Sequence, residues 1–199
     1  MKPFQLGITG GIGSGKSVVC RVLSVMGIPV FNADGVSKEI LEKDKQVISL
    51  VKELTGPLSY LPSGKPDKKH IASVVFNDPI KLEALNKILH PAVQSLYDQW
   101  VEQNFKHPVV AKEAAIMFES GSNKGMDAIV AVTAPVELRI WRVMSRDNKS
   151  SEEINKIISR QMDEILIVQK SNFIILNDDQ HMVLPQIIQI LNSLKYNFN

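Results

Sequence analysis

Gly10, Gly15, Lys16 and Ser17 satisfy G-x-x-x-x-G-K-[ST] within GITGGIGSGKS, residues 7–17, where five of eleven positions are glycine. That spacing suits a phosphate-binding loop. Residues without a Cβ let successive backbone N–H groups turn inward around a phosphate, and the positive end of the following helix lies beneath it. The binding stretch comprises Gly11, Ile12, Gly13, Ser14, Gly15, Lys16, Ser17 and Val18, with Ser14 and Val18 contributing mainly their amides. Lys16 is expected to reach the β and γ phosphates as a point charge, and the Ser17 hydroxyl to ligate a magnesium ion. The chemistry implied is that of a nucleoside triphosphate.

Two further sets of residues suit phosphoryl transfer. Asp34 closes the segment VFNAD and fits two roles. It caps a helix starting near Gly35, or it is the carboxylate that orients an acceptor hydroxyl and takes its proton. Its place just after a strand favours the second. Arg139, Arg142 and Arg146 fall at i, i+3 and i+7, with Lys149 beyond them and Arg160 on the next helix. On a helix they project from one side. Arginines that close over a nucleotide neutralise the charge spread over the transferring group, whereas a plain solvated face would pair them with Asp147, Glu152 or Glu153. In a chain with a phosphate loop, RVMSRDNKSSEE reads as a lid.

These residues need a scaffold that gathers them. Phe4 to Thr9 is an apolar strand with Leu6 and Ile8 on one face, and Ser17 to Met26 carries apolar residues at helical spacing. Pro29 to Asn32 is a second short strand, followed by mostly helical sequence from Gly35 to Asn104. The loop TGPLSYLPSGKPDKK interrupts it, and Asp78-Pro79 and His90-Pro91 are expected helix starts. Pro108 to Met117, Asp127 to Thr133 and Phe173 to Leu176 are the remaining strands. Ser150 with Glu153 makes a capping box, and residues 180–195 close the chain as a helix. Alternating strands and helices imply a parallel sheet covered on both faces, with ligands at the carboxyl ends of the strands.

The 199 residues, 44% hydrophobic and 22% charged, suit one domain with a small appended subdomain. A net charge of +2 with interspersed signs lacks the footprint of a nucleic-acid binder. Lys65, Lys68, Lys69 and His70 read as a solvated loop, and the single Cys20 as a buried side chain in the first helix. With neither a leader pattern nor an apolar run long enough for a membrane, a cytoplasmic location is expected. A regulatory GTPase would need N-K-x-D and D-x-x-G. NKGMD, residues 123–127, has its Asp one position late, and no glycine follows an Asp by three.

Taken together, GITGGIGSGKS, VFNAD, LHP (Leu89 to Pro91), IMFESG, ELRIWRVMSRD and RQMDEILIVQKSNFIILND resemble the dephospho-coenzyme A kinase family. The resemblance implies phosphorylation of the ribose 3′-hydroxyl of dephospho-CoA by ATP with Mg2+, the last step of coenzyme A biosynthesis. It implies a P-loop α/β/α fold whose five-stranded parallel sheet has the order 2-3-1-4-5. It also implies a helical CoA-binding insertion at 35–105 and a lid at 139–160. By resemblance, Asp34 is the general base, Arg142 and Arg146 belong to the basic lid, Asn177 lies near the adenine, and His90 with Pro91 forms a substrate-side motif. The partners implied are two small molecules, ATP and dephospho-CoA, on a monomer or small homo-oligomer, with neither nucleic acid nor membrane. Another small P-loop kinase, for a nucleoside monophosphate or a metabolite alcohol such as shikimate, is the alternative. The sequence departs from the family pattern at Asn32 (commonly an acid), at Glu113 and Ala115 (commonly Asp and Pro) and at Val18 (frequently Thr). Glu113 fits either a metal's outer shell or an ordinary ion pair.

Overall fold

The computed structural model describes residues 2–75 and 77–194. The chain divides into two compact units, Met1–Asn32 with Val101–Asn199, and Ala33–Trp100.

The first unit holds a five-stranded parallel sheet: β1 (Phe4–Thr9), β2 (Val30–Asn32), β3 (Val109–Glu113), β4 (Ala128–Thr133) and β5 (Phe173–Leu176), in the order β2-β3-β1-β4-β5. The helix α1 (Lys16–Val25) leads out of the loop after β1, and α9 (Val183–Ser193) ends the described chain. Val19 and Leu23 of α1 join Ile187, Ile190 and Leu191 of α9 over Leu6, Ile8, Val130, Val132 and Ile175 of the sheet. On the opposite face Met117 and Met126 lie against Gly7, and α8 (Glu164–Lys170) packs on β4. Coverage of both faces explains why these strands read as near-continuous apolar runs. Two more helices, α6 (Val136–Asp147) and α7 (Ser151–Ile158), lie between β4 and α8, and the expected capping box of Ser150 and Glu153 starts α7.

The third strand is shorter than Pro108 to Met117. Ala114 N–H still donates to the Ile8 carbonyl at 3.1 Å. Beyond it β1 turns into the phosphate loop, so residues after 114 lose their ladder partner and form turns. The final helix is likewise shorter than 180–195: Asp178 Oδ1 accepts the N–H groups of Gln180 and His181, and that turn holds the chain until Val183. Residue 195 lies outside the described residues.

The second unit is helical: α2 (Ala33–Lys43), α3 (Lys45–Thr55), α4 (Lys68–Val75) and, as far as Trp100, α5 (Pro79–Gln103). Its core joins Ile40, Val47, Val51, Tyr60, Ile71, Val75, Leu85 and Leu89. Asp78 caps α5 as expected, its Oδ1 accepting from Ile80 and Lys81. His90-Pro91 starts no helix, contrary to the sequence reading, because α5 runs straight through Pro91. An interior proline removes one hydrogen bond and costs roughly 3 kcal/mol. Here Leu82, Leu85, Ile88 and Leu89 before it, and Ala92 and Val93 after it, pack into one core. Breaking the helix at residue 90 would pull one of those groups out of apolar contact, a larger loss.

Candidate functional site

Residues 10–15 carry the chain from β1 into α1. Gly15 stands before α1 in the left-handed region, at φ 97° and ψ 22°, and supplies no side-chain cap. In the first turn the N–H groups of Val18 and Val19 both reach back to the Gly15 carbonyl, at 2.9 and 3.3 Å, so the Val18 amide expected to face a phosphate is engaged within the helix, and the positive end of the helix dipole lies at Lys16 and Ser17. A side chain at Gly15 would collide with the Asn177 amide, and one at Gly13, at φ 78°, with the backbone of Arg139.

Four groups hold the loop from behind. Lys16 Nζ donates to the carbonyls of Gly10 and Gly11 at 2.7 and 3.1 Å. Asn177 Nδ2, at the carboxyl end of β5, donates to the Ser14 carbonyl at 2.8 Å. Arg139 Nε donates to the Ile12 carbonyl at 2.9 Å, and Gln161 Oε1 accepts the Ile12 N–H at 2.9 Å. Lys16, Arg139 and Asn177 thus donate to loop carbonyls, while the Ile12 N–H is taken by Gln161 and the Ser14 N–H by the Gly11 carbonyl at 3.2 Å.

Arg139 is thus not on an exposed face with its two neighbours. It is 3% exposed, with Nη1 3.4 Å from Glu164 Oε2 and Nη2 against Gly11. Arg142 is held by the Asn177 carbonyl at 3.0 Å and by the Asp179 carboxylate, while Arg146 is exposed and pairs with Asp147. The gradation follows from helix geometry: Arg146 lies roughly 10 Å further along the axis than Arg139. The spacing i, i+3, i+7 reports azimuth and is silent on depth.

Ser17 and Val18 follow Lys16 in the first turn of α1, and both are exposed. The Ser17 hydroxyl suits magnesium, which takes oxygen ligands and draws most of them from phosphate and water. Among the described residues no group of three or more His, Cys, Asp or Glu side chains forms a protein-only metal cage. Glu113 ends β3 beside Asn32, whose Nδ2 is 3.3 Å from Glu113 Oε2. The amide at Asn32 therefore serves as a donor where an acid would face Glu113 with like charge. One turn after Lys16, burial chiefly pushes the Cys20 thiol above its ordinary range. The adjacent Glu113 carboxylate adds to the shift and Lys16 opposes it.

Asp34, His90 and Pro91 belong to the second unit. Asp34 is the second residue of α2, inside its first turn, so it does not occupy the cap position before the helix. His90 and Pro91 lie within α5.

Neither Gln161 as a partner of the loop nor Arg139 as a buried one is legible in the sequence. Their partners are 149 and 127 residues away, a distance at which one chain carries no pairing signal.

Residues 4–182 match the family described as dephospho-CoA kinase. A dephospho-CoA kinase of Bacteroides fragilis is 37% identical over 191 residues, covering 96% of this chain and 93% of its own length. That of Chlorobaculum tepidum is 38% identical, covering 96% and 95%. The crystal structure of TT1252 from Thermus thermophilus aligns with a TM-score of 0.84 at 30% identity, over 98% of this chain and 97% of that one. The dephospho-CoA kinase of Campylobacter jejuni aligns at 0.69 and 21% identity over 96% of each chain, and shares the fold. With its sheet order and its phosphate loop, this chain belongs to the dephospho-CoA kinase family.

Proposed function

We propose a division of labour among this chain's residues for its family's reaction, transfer of the ATP γ-phosphoryl group to the ribose 3′-hydroxyl of dephospho-CoA. The observation that carries it is the phosphate loop, braced by Arg139, Gln161 and Asn177 and leading through Gly15 into the start of α1. The loop amides hold the β and γ phosphates. Lys16 exchanges its carbonyl contacts at Gly10 and Gly11 for phosphate oxygens, a stronger charge-assisted pairing. Ser17 would supply a hydroxyl ligand to Mg2+, whose chemistry when bound would be to neutralise phosphate charge.

Asp34 accepts the proton of the 3′-hydroxyl as that oxygen bonds to the γ phosphorus and the bond to the β-phosphate oxygen breaks, releasing ADP. Arg142 and Arg146 release Asp179 and Asp147 to meet the equatorial oxygens. The adenine falls beside the strand end that carries Asn177. The helical residues 35–105, with His90 and Pro91, take the CoA portion, and 139–160 acts as the lid. The protein works in the cytoplasm on two small molecules, as a monomer or small homo-oligomer. No described helix is long and apolar enough to cross a membrane.

The test is ADP release from ATP and Mg2+ with dephospho-CoA, AMP or shikimate as acceptor. Turnover with dephospho-CoA alone is expected. Turnover with AMP or shikimate instead would retain the loop chemistry and overturn the acceptor.

A further inference from the structure

Ile12 is held at both ends of its peptide environment by side chains from one stretch of chain. Its carbonyl takes Arg139 Nε and its N–H meets Gln161 Oε1, each at 2.9 Å. Residues 139 and 161 flank the arginine-bearing segment, so both roots of that segment end on the same loop residue. Gln161 is itself firmly placed: its N–H donates to the Ile158 carbonyl at 3.1 Å, and the next residue, Met162, donates its N–H to Glu119 Oε1 at 2.8 Å. Glu164 meets Arg139 from the same connection.

We infer that Gln161 is a positioning residue for nucleotide binding, clamping Ile12 opposite Arg139 so that the phosphate loop is held in its anion-binding shape before the nucleotide arrives. The inference rests on the triphosphate reading of the loop. Ile12 N–H is one of the loop's donors, and Gln161 occupies it, which leaves phosphate to the other N–H groups of the loop. Arg139 fixes the Ile12 carbonyl; the preceding peptide is held at its Gly11 carbonyl by Lys16 Nζ at 3.1 Å and the Ser14 N–H at 3.2 Å, and Gln161 adds the hold on its N–H side, which stays when Lys16 turns to phosphate. With Gln161 absent, the binding-competent loop becomes a fraction of the population, and apparent affinity falls by that fraction.

Gln161→Met keeps the length and removes the acceptor, whereas Gln161→Glu keeps an acceptor at the same reach. In Gln161→Met, amide exchange at Ile12, read by NMR, is expected to accelerate at least about tenfold, and ADP to bind about tenfold more weakly by calorimetry. KM for dephospho-CoA should stay within about twofold, and the nucleotide-free unfolding midpoint within about 3 °C, since the freed N–H reaches water. Gln161→Glu should keep Ile12 protected. Wild-type ADP affinity in Gln161→Met would overturn the inference. So would equal losses for ADP and dephospho-CoA, or a lowered midpoint with unchanged ADP affinity. If the wild type itself bound no ADP, the triphosphate reading would fail, while Ile12 exchange would still report on the clamp.

Discussion

Asn177 donates its side-chain amide to the Ser14 carbonyl at 2.8 Å, joining the end of the last strand to the phosphate loop across 163 residues of sequence. The contact is 9% exposed at Asn177, and the same amide fills the space a side chain at Gly15 would need. Removing it leaves a buried carbonyl without a donor. Asn177→Ala is expected to lose about 1–3 kcal/mol in urea unfolding, and to raise KM for ATP more than KM for dephospho-CoA.

The three arginines of α6 should separate by depth. Arg139→Ala removes a buried cation from Ile12 and Glu164 and is expected to cost about 3 kcal/mol. Arg146→Ala should change stability by under about 0.5 kcal/mol, because its pair with Asp147 is exposed. On the lid reading its kcat nonetheless falls about a hundredfold. Denaturant titration beside steady-state kinetics checks both, and an Arg146→Ala enzyme with wild-type kcat would remove that residue from the reaction.

Asp34→Ala should fold and bind ATP as the wild type does while kcat drops about 10²–10⁴-fold, the range for a positioned general base. Rapid-quench measurement of a single turnover isolates the chemical step. A rate within about threefold of the wild type would exclude Asp34 as the base.

Cys20 makes stability depend on alkaline pH. Its thiol is raised mainly by burial, so the folded state keeps the proton that the unfolded chain releases above about pH 8.5. The unfolded state then binds fewer protons, and stability falls as pH rises from there, by up to about 1.4 kcal/mol per pH unit. In Cys20→Ala that part of the slope should vanish, as unfolding free energies at pH 8 and 10 would show.

Pro91→Ala restores a donor to the interior of α5 and is expected to stabilise the protein by about 1–2 kcal/mol, after allowing for the looser unfolded chain. A rise in KM for dephospho-CoA in the same variant would mark Pro91 as part of the acceptor side.

Much of the fold was legible locally. β1 and β5 coincide with their apolar runs, and the box at Ser150 and the cap at Asp78 formed where residue types required. Each depends on neighbours within a few positions. Pro91 misled because a proline's local cost is visible in sequence, whereas the packing of Leu85, Leu89 and Val93 around Ile40 and Ile71 is not. The third strand ends before its apolar run does for a similar reason: its end is set by where β1 stops offering partners.

For the site, sequence alone determined the loop, its lysine and serine, and the order of the elements, because glycine's backbone freedom and a G-K-S ending serve phosphate through short-range geometry. Tertiary structure decided what holds that loop. Arg139 became a buried brace instead of a surface charge, Asn177 a support for Ser14, Gln161 a partner for Ile12, and Asn32 a donor to Glu113. Each pairing joins residues from 81 to 163 positions apart. A side chain's type says which bonds it can make, and only the folded path of the chain says which partner comes within 3 Å or so of it.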